Sequence, residues 1–544
     1  MSTLWPLLRQ RLLRDRWQLL SWALGIAVLS LVGHSAVAAQ YGTEKDRAEV
    51  IRLLIQTPSV LVLRGTPQGT QTDAFQFMLL YGFTAILVAL MATFLAVRHS
   101  RGDEEAGRAE LVESTPAGRL LPLVATSIEG ILATAVLSVL YATGFALYGA
   151  RAEGVLLAGL AMATNGVVFL GIGLLCAQLM RTSRGANALA ATIAGAAYLV
   201  RGVADARGTV NEDGLSMTPS GLMWASPSGW GALTLPFSRP NWSPLLVALI
   251  VGVALFAVVF ALRSQRDLDA SLVPERRGRL TAPATLAGPI GLTVRQLRNA
   301  VIGWAIAAGL LGLFVGGLAQ VLTEGVGGDL QENLGHTVGS LAGPNAQGTF
   351  ADVFIVAMFA IMGALAAVAG VQTIVRARQD EASGTVETVL SAPVSRVHWF
   401  GGYLLLALVS AVTVLAAGMA GTFIGAAASG ASSERFRTIA EAALAQLPAA
   451  LLLAAIVAVV FALLPRWTIA LGWAIVLVAI FIGQFGGLFG LPDWVRDASP
   501  FSHTPLVTAD DADWGAAWVM LALGVLAAAA SVALVRRRDL ALGG

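Results

Sequence analysis

The residues with the most chemical content lie in a charged stretch that occurs twice in an apolar chain. The first copy, DEEAGRAELVESTPAGR, covers residues 103–119, and the second, DEASGTVETVLSAPVSR, follows 277 positions later at residues 380–396. We call each copy a cassette. Carboxylates, a hydroxyl and a proline at these spacings match no catalytic motif, and they suit recognition of another protein. The residues that recur in the same register are Asp103, Glu104, Gly107, Glu110, Ser114, Pro116 and Arg119, and Asp380, Glu381, Gly384, Glu387, Ser391, Pro393 and Arg396.

The residue content of the chain excludes several kinds of chemistry. Lys45 is the only lysine, and its neighbours Glu44 and Asp46 do not form the Gly-Lys-Ser/Thr end of a P-loop, so this chain cannot hold ATP in that way. One cysteine, Cys176, excludes an intramolecular disulfide. The five histidines form no paired-ligand spacing, and no hydrolase motif occurs. We therefore expect no catalytic residue, no metal site and no cofactor in this chain.

Composition indicates a membrane protein. Of the 544 residues 56% are hydrophobic and 12% are charged, whereas a soluble domain has about 25% charged residues. Apolar runs of about 20 residues predict membrane-spanning helices. We predict an all-α polytopic protein with twelve spans at about 18–39, 74–97, 121–149, 155–179, 185–203, 243–263, 300–322, 351–375, 397–427, 442–464, 467–490 and 515–535.

The placement of positive charge predicts the orientation. Placing both termini in the cytoplasm puts 24 of the 35 lysines and arginines on that side, in agreement with the positive-inside rule. The predicted external loop 323–350 contains no basic residue. We expect a multi-pass protein of the bacterial cytoplasmic (inner) membrane, and no contact with nucleic acid.

The chain also reads as two related halves. Arg16 and Trp22 correspond to Arg298 and Trp304, and the tripeptide RDL stands near the end of each half, at 266–268 and 538–540. Six spans per half make the repeat parallel. We predict a first half at 1–263, a cytoplasmic linker at 264–292, and a second half at 293–544.

Each cassette follows the second span of its half and is expected to form a short helix. The Asp that opens each copy is a favourable N-cap, and the Pro ends the helix about three turns later. One apolar stripe is formed in the second copy by Val386, Val389, Leu390 and Pro393, and the corresponding places in the first are Ala109, Val112, Glu113 and Pro116. Two such helices would dock two copies of a soluble partner. The alternative is that they only cap a membrane hairpin and share residues through duplication.

The spacing Glu-x-x-Gly-x-x-Glu-x-x-x-Ser-x-Pro after the second span resembles the coupling-helix motif of type-2 ABC exporter permeases. The Ser-Pro before the last span and the terminal RDL are similar to that family too, and two fused six-span halves resemble its actinobacterial polyketide-antibiotic and multidrug exporters. The resemblance covers nearly the whole chain. Glu105 and Arg108 of the first copy replace Ala382 and Thr385 of the second, so the two expected docking sites differ in charge at these positions.

The resemblance implies a permease subunit that exports hydrophobic drugs, antibiotics or lipid-like compounds and lacks its own ATPase. It would pair with two copies of a separate P-loop ATP-binding subunit, which would hold ATP and Mg²⁺. The arginine-rich stretch before the first span would be the family's interfacial connecting helix. The loops 204–242 and 484–514 would contain its short external re-entrant helices.

Two further sets of residues are candidates for transport. Phe77 aligns with Phe354 and Tyr81 with Met358 at the cassette offset, and large apolar side chains on matching faces suit a path for hydrophobic substrates. Ordinary packing or lipid contact explains them equally well. Polar residues inside spans, of which Glu129 is the main example beside His34 and Asn165, are functional candidates by default. The rival class is a twelve-span proton-coupled drug antiporter, but the predicted spans offer few carboxylates besides Glu129.

Overall fold

The computed structural model describes residues 4–56, 58–115, 118–265, 281, 283, 286, 288–324, 349–485, 491–507 and 512–541. Twelve helices among them are long and apolar enough to cross a membrane, and β structure is limited to one short hairpin and an isolated bridge in the described chain. The prediction of an all-α polytopic membrane protein with twelve spans is confirmed. The chain divides into two compact units, Met1–Arg277 (unit 1) and Gly278–Gly544 (unit 2).

Unit 1 contains six of the long helices, together with short elements in the connections. After the fifth long helix the chain forms an antiparallel hairpin of Thr209–Val210 (β1) with Met217–Thr218 (β2). The helices of unit 1 are α1 (Leu4–Gln40), α2 (Glu44–Ile55), α3 (Pro58–Arg64), α4 (Thr72–Arg98), α5 (Arg101–Glu105), α6 (Arg108–Glu113), α7 (Leu121–Leu147), α8 (Ala152–Leu179), α9 (Ser183–Ala206), α10 (Pro227–Ala232) and α11 (Ser243–Gln265).

The centre of unit 1 is formed by α4 and α8, which pack against each other. Helix α8 also packs against α7, α9 and α11. Both central helices are apolar around most of their circumference, which is the pattern of a helix surrounded by other helices. The first cassette follows α4 and is connected to α8 through the hydrogen bonds of Arg101 described below.

Unit 2 is likewise built around a buried helix, α13, which packs against α12, α15 and α16. Helices α12 and α15 approach so closely that a Cβ at Gly312 would collide with the carbonyl of Gly418. Such small-residue contacts are typical of membrane helix pairs. The helices of unit 2 are α12 (Pro289–Glu324), α13 (Phe350–Ala382), α14 (Thr385–Leu390), α15 (Arg396–Ala428), α16 (Ser433–Leu463), α17 (Thr468–Ile480), α18 (Asp493–Arg496) and α19 (Gly515–Arg537).

Several helix ends differ from the predicted spans. Helix α1 begins at Leu4 and runs without a break into the first span, so the arginine-rich stretch is not a separate connecting helix. Helix α12 begins at Pro289, inside the predicted linker. Hydropathy detects only the apolar part of a helix, and in α1 the polar turns are stabilised by contacts with α4 and α7 described below. The two loops expected to contain short helices do contain them, including Pro227–Ala232 and Pro500–His503.

Candidate functional site

Each cassette is divided by a glycine into two parts. In unit 1 the first part is α5, Gly107 follows with a left-handed φ of 69°, and α6 is the second part. In unit 2 the long helix α13 continues through the first cassette residues, and Gly384, with a φ of 75°, precedes α14. Only glycine adopts this conformation without cost. The glycine therefore sets the angle between the end of a span and a short surface helix.

The prediction that Asp103 and Asp380 are the N-caps of the short helices is wrong, because the short helices begin after the glycine. Asp103 lies inside α5 and Asp380 inside α13, and the residues that precede the short helices are Gly107 and Gly384. The second short helix ends at Leu390, before Pro393, as expected for a proline that stops a helix. Pro116 lies outside the described residues.

In unit 1 the second cassette acid is bound within the chain. Glu104 is buried and accepts a hydrogen bond of 2.7 Å from the buried guanidinium of Arg101, which also donates to the carbonyl of Ala177 in α8. Arg263, in the last turn of α11, lies 3.6 Å from Glu104 and also pairs with Glu113 of α6. These contacts connect the end of the second span, the short helix and the last span of the unit.

Unit 2 repeats this arrangement at the same offset. Glu381 is fully buried and accepts two hydrogen bonds from Arg538, at 2.7 and 2.9 Å, and a third from the backbone of Ala541 at 3.0 Å. Arg378 lies three residues before it, as Arg101 lies before Glu104, and is 3.7 Å away. Arg538 follows α19 directly and lies over the ring of Phe461. We call the Glu104 and Glu381 contacts the two carboxylate clasps.

The first cassette acid is also engaged inside each unit. Asp103 pairs with Arg11 (3.3 Å) and Arg14 (3.4 Å) of α1 and with Arg108 of α6 (2.8 Å), and His99 lies 3.7 Å away. Asp380 pairs with Arg376 at 2.9 Å and accepts a hydrogen bond of 2.6 Å from the hydroxyl of Tyr403 in α15. Four of the predicted docking residues, Asp103, Glu104, Asp380 and Glu381, are therefore buried and satisfy partners in their own unit.

Three residues of the apolar stripe in the second cassette face inward, and the fourth, Pro393, is exposed. Val386 is buried in the core of unit 2, and Val389 and Leu390 pack against that core. In unit 1 Ala109 is buried and Val112 half-buried. The stripe was expected to meet a partner, but it attaches each short helix to its own unit. Periodicity identifies an apolar face and does not say which surface covers it.

The opposite face of each short helix is open. In unit 1 the exposed residues include Glu110, Leu111 and Ser114, and Leu111 is 71% exposed although it is apolar. In unit 2 Glu387, Thr388, Ser391 and Pro393 are exposed. Arg119 is exposed as well, whereas Arg396 donates to the carbonyl of Arg538 and so supports the clasp of unit 2.

The surroundings of the two short helices differ in shape. In unit 1 a cavity of about 260 Å³ lies between α1 and α6, lined by Arg14, Arg108 and Leu111 among others. The corresponding place in unit 2, between α12, α14 and α15, contains a cavity of about 10 Å³ because Tyr403 and Trp399 fill it. The first short helix is therefore less tightly supported than the second.

The residues proposed for a substrate path lie in the packed interior of their units. Phe77 and Tyr81 are buried and stack on each other with centroids 4.8 Å apart, beside Phe237. Phe354 is buried and Met358 partly buried in unit 2. The cavity that Phe77 and Tyr81 line measures about 10 Å³, which is room for about one water molecule. Their role in transport stays a prediction.

The polar residues inside the spans of unit 1 have different environments. His34 contacts the side chain of Gln76 and stacks on Tyr148, and Asn165 donates to the carbonyl of Ala85 at 2.9 Å. These contacts satisfy part of their hydrogen-bonding capacity and hold helices together. Glu129 differs, since neither of its oxygens has a hydrogen-bond partner among the described residues.

Sequence reasoning missed several residues of these clusters, including Arg263 and Arg538 of the two clasps. Arg101 and Arg378 stand just before the two cassettes at the same offset of 277, and extending the comparison by two residues would have found them. Asp15 and His99 lie far apart in the chain, and their contact at 2.6 Å has no signal in the sequence. Long-range contacts of this kind appear only when the helices are assembled.

Comparison with known proteins identifies the family. Over 538 residues the chain is 30% identical to the multidrug efflux system permease protein Rv1217c of Mycobacterium tuberculosis (strain ATCC 25618 / H37Rv), covering 98% of this chain and 94% of that protein. The chain belongs to the multidrug efflux system permease family. Residues 286–536 match the family model described as the C-terminal domain of multidrug efflux system permease Rv1217c. The match covers α13, α14 and Arg396 but ends just before Arg538 and the terminal RDL.

Proposed function

We propose that this chain is the membrane-spanning subunit of a multidrug exporter of the type-2 ABC class, driven by a separate ATP-binding subunit. The family membership supports export of drugs by a multi-pass permease. The absence of a P-loop lysine in the sequence means that ATP-driven transport requires another polypeptide. The substrates are hydrophobic small molecules, which reach the protein from the lipid bilayer.

The observation that carries the proposal is the pair of short helices α6 and α14. Each follows a left-handed glycine at the end of the second long helix of its unit, turns its apolar side inward and presents Glu110 or Glu387 on its open side. A helix attached in this way gives a partner a surface to push on. Two such helices suit two copies of an ATP-binding subunit, which hold ATP and Mg²⁺.

The carboxylate clasps supply the mechanical connection. A force on α6 passes through Glu113 and Arg263 to α11, and through Glu104 and Arg101 to the second span and α8. In unit 2 Glu381 connects α13 to Arg538 after the last span. Buried charge pairs of this kind have few alternative geometries, because separating them leaves a charge without a partner. ATP-driven movement of the partners can thus rearrange the helices that line the substrate path.

In this arrangement the cassette end of each unit faces the cytoplasm, in agreement with the positive-inside rule, and both termini lie on that side of the inner membrane. The open faces of α6 and α14 then meet soluble partners, and α2 with the Thr209–Thr218 hairpin lie on the external side.

Reconstitution tests the proposal. The chain is purified from its native membrane, the co-purifying P-loop protein is identified, and native mass spectrometry gives the stoichiometry, expected to be one chain with two ATP-binding subunits. In lipid vesicles we expect drug-stimulated ATP hydrolysis and drug transport by the complex, and neither by the chain alone or with a partner whose Walker lysine is replaced. Drug transport by the chain alone that follows an imposed pH gradient would instead establish the proton-coupled antiporter and refute the proposal.

A further inference from the structure

A buried cluster in unit 1 has no counterpart in the ABC exporter mechanism described above. It consists of Asp15 from α1, His99 at the end of α4 and Glu129 from α7. The side chains are 2%, 0% and 0% exposed. One ligand atom from each residue lies within 4.8 Å of the other two. The cluster therefore brings three successive long helices together at a single point.

The hydrogen bonds of this cluster are incomplete. His99 Nε2 lies 2.6 Å from Asp15 Oδ2 and 3.7 Å from Glu129 Oε2. A ring nitrogen carries at most one hydrogen, and the shorter contact to Asp15 uses it. Glu129 forms no ion pair with an arginine and receives no hydrogen bond from the described residues. A buried carboxylate without donors costs several kcal/mol, so this side chain is stabilised either by a proton or by another cation.

The opposite side of the imidazole supplies an independent observation. His99 Nδ1 faces Asp103 Oδ2 at 3.7 Å, and Asp103 is held in place by Arg11 and Arg108. Histidines that bind metals commonly direct their other ring nitrogen to a carboxylate, which fixes the tautomer and the ring orientation. Asp103 lies on that side of the ring, at a distance longer than a hydrogen bond, and Nδ1 has no hydrogen-bond partner among the described residues. Arg98 pairs with the other oxygen of Asp15 at 2.9 Å.

We propose that Asp15, His99 and Glu129 form a binding site for a divalent transition-metal cation such as Zn²⁺. Imidazole nitrogen and carboxylate oxygen are both ligand types that Zn²⁺ accepts, and three protein ligands leave a fourth position for water. Ligand atoms at a tetrahedral Zn²⁺ lie about 3.3 Å apart, and the two observed distances of 2.6 and 3.7 Å fall on either side of that value. The ion replaces the proton on His99 Nε2 and is coordinated by the carboxylates of both Asp15 and Glu129.

Among the described residues of unit 2 there is no equivalent cluster. At the cassette offset, His99 corresponds to Arg376 and Glu129 to Leu406. Arg376 pairs directly with Asp380 and Leu406 is buried among apolar side chains. Unit 2 thus has the Arg376–Asp380 ion pair at the place where unit 1 has the proposed metal ion, which can exchange. Occupancy of the site fastens α1 and α7 to His99, four residues before the first cassette and beside the cavity between α1 and α6.

Metal analysis of the full-length chain in lipid nanodiscs tests the proposal. After treatment with a chelator, titration with Zn²⁺ should show one site per chain, and Co²⁺ should give the visible absorption of a low-symmetry site with a histidine ligand. Glu129→Gln and His99→Gln should abolish stoichiometric binding, while Asp103→Asn should weaken it by about 10- to 100-fold, as for other residues that orient a metal ligand. His398→Gln is the matched control because His398 is exposed in unit 2, and it should bind like the wild type.

A second measurement covers variants that fold poorly. Zn²⁺ should raise the unfolding temperature of the wild-type protein, and chelation should reverse the rise. Absence of a Zn²⁺ site in well-folded wild-type protein would overturn the proposal, as would binding that survives Glu129→Gln and His99→Gln together. If the nuclear magnetic resonance signal of the His99 ring titrates with pH and does not respond to Zn²⁺ or Co²⁺, the cluster holds a proton instead, and the metal site is refuted.

Discussion

Removal of the Glu381 carboxylate is the perturbation that best tests the clasps. Glu381 has no exposed surface, and it accepts three hydrogen bonds of 3.0 Å or shorter from Arg538 and Ala541. Its loss leaves Arg538 and the 2%-exposed side chain of Arg378 without their carboxylate. Breaking one partner out of a buried charge pair costs about 3–5 kcal/mol. We expect Glu381→Ala to destabilise unit 2 by that amount.

Isosteric and paired substitutions separate charge from packing. Glu381→Gln keeps one acceptor oxygen and should cost about 2 kcal/mol, which is within the range for hydrogen bonds to charged groups. Glu381→Met combined with Arg538→Met removes the closest charge pair, and it should cost less than Glu381→Met alone, because only Arg378 then loses its carboxylate. Glu387→Ala is the control on the open face of α14 and should change stability by no more than about 0.5 kcal/mol.

Unfolding of the purified protein in mixed micelles, followed by circular dichroism, measures these differences. A double-mutant cycle for Glu381 and Arg538 should give a coupling free energy of about 1–3 kcal/mol. If Glu381→Ala unfolds with the wild-type midpoint, the clasp contributes nothing to stability and the proposed mechanical connection fails with it.

The remaining predictions concern the turn, the docking face and the substrate path. Gly384→Ala should lower the free energy of unfolding by about 1–2 kcal/mol, because the φ of Gly384 is 75°. The loss is conformational, since a Cβ at Gly384 meets no atom within 4 Å. Gly401→Ala is the control: Gly401 lies inside α15 with equally open surroundings, so this variant should be neutral or stabilising in the same unfolding assay. Glu110→Arg and Glu387→Arg should leave folding unchanged and reduce drug-stimulated ATP hydrolysis by about tenfold, since a charge reversal at an interface is worth about 1–3 kcal/mol or more. If both variants co-purify with the partner and hydrolyse ATP like the wild type, α6 and α14 do not bind the partner. Phe77→Ala should destabilise unit 1 by about 3–5 kcal/mol, so Phe77→Leu is the informative variant, and an unchanged drug-resistance profile in well-folded protein would exclude this side chain from the substrate path.

The twelve spans were predictable because hydropathy reports directly on transfer into a bilayer. Their ends were not. Arg11 and Asp15 are polar and would end an apolar run, yet α1 continues through both residues. Their side chains are bound by neighbouring helices, since Arg98 of α4 pairs with Asp15 and Thr126 of α7 accepts a hydrogen bond from Arg11. Helix ends that depend on tertiary contacts carry no local signal, and for that reason α12 also begins earlier than predicted, at Pro289.

The cassette was found from the sequence, but the sequence did not separate its buried residues from its exposed ones. Repetition at one offset marks residues under the same constraint in both halves, without showing what the constraint is. The structure separates the copies into an inner set, represented by Asp380, Glu381 and Val386, which fastens the short helix, and an outer set represented by Glu387. A buried acid and an exposed acid look identical in sequence, and only the position of an arginine far along the chain, such as Arg538, distinguishes them.

The short helix is attached more tightly in unit 2 than in unit 1. In unit 2, Tyr403 and Arg376 fix Asp380 directly, and the adjoining cavity is only about 10 Å³. In unit 1 the corresponding Asp103 is shared between α1 and α6, and a cavity of about 260 Å³ adjoins it. A helix beside open space can move through a distance that a packed helix cannot, because packed side chains have few alternative arrangements. If identical partners act on both short helices, α6 should therefore move further than α14 for the same force, and the first unit should be the one whose response a bound cation can adjust.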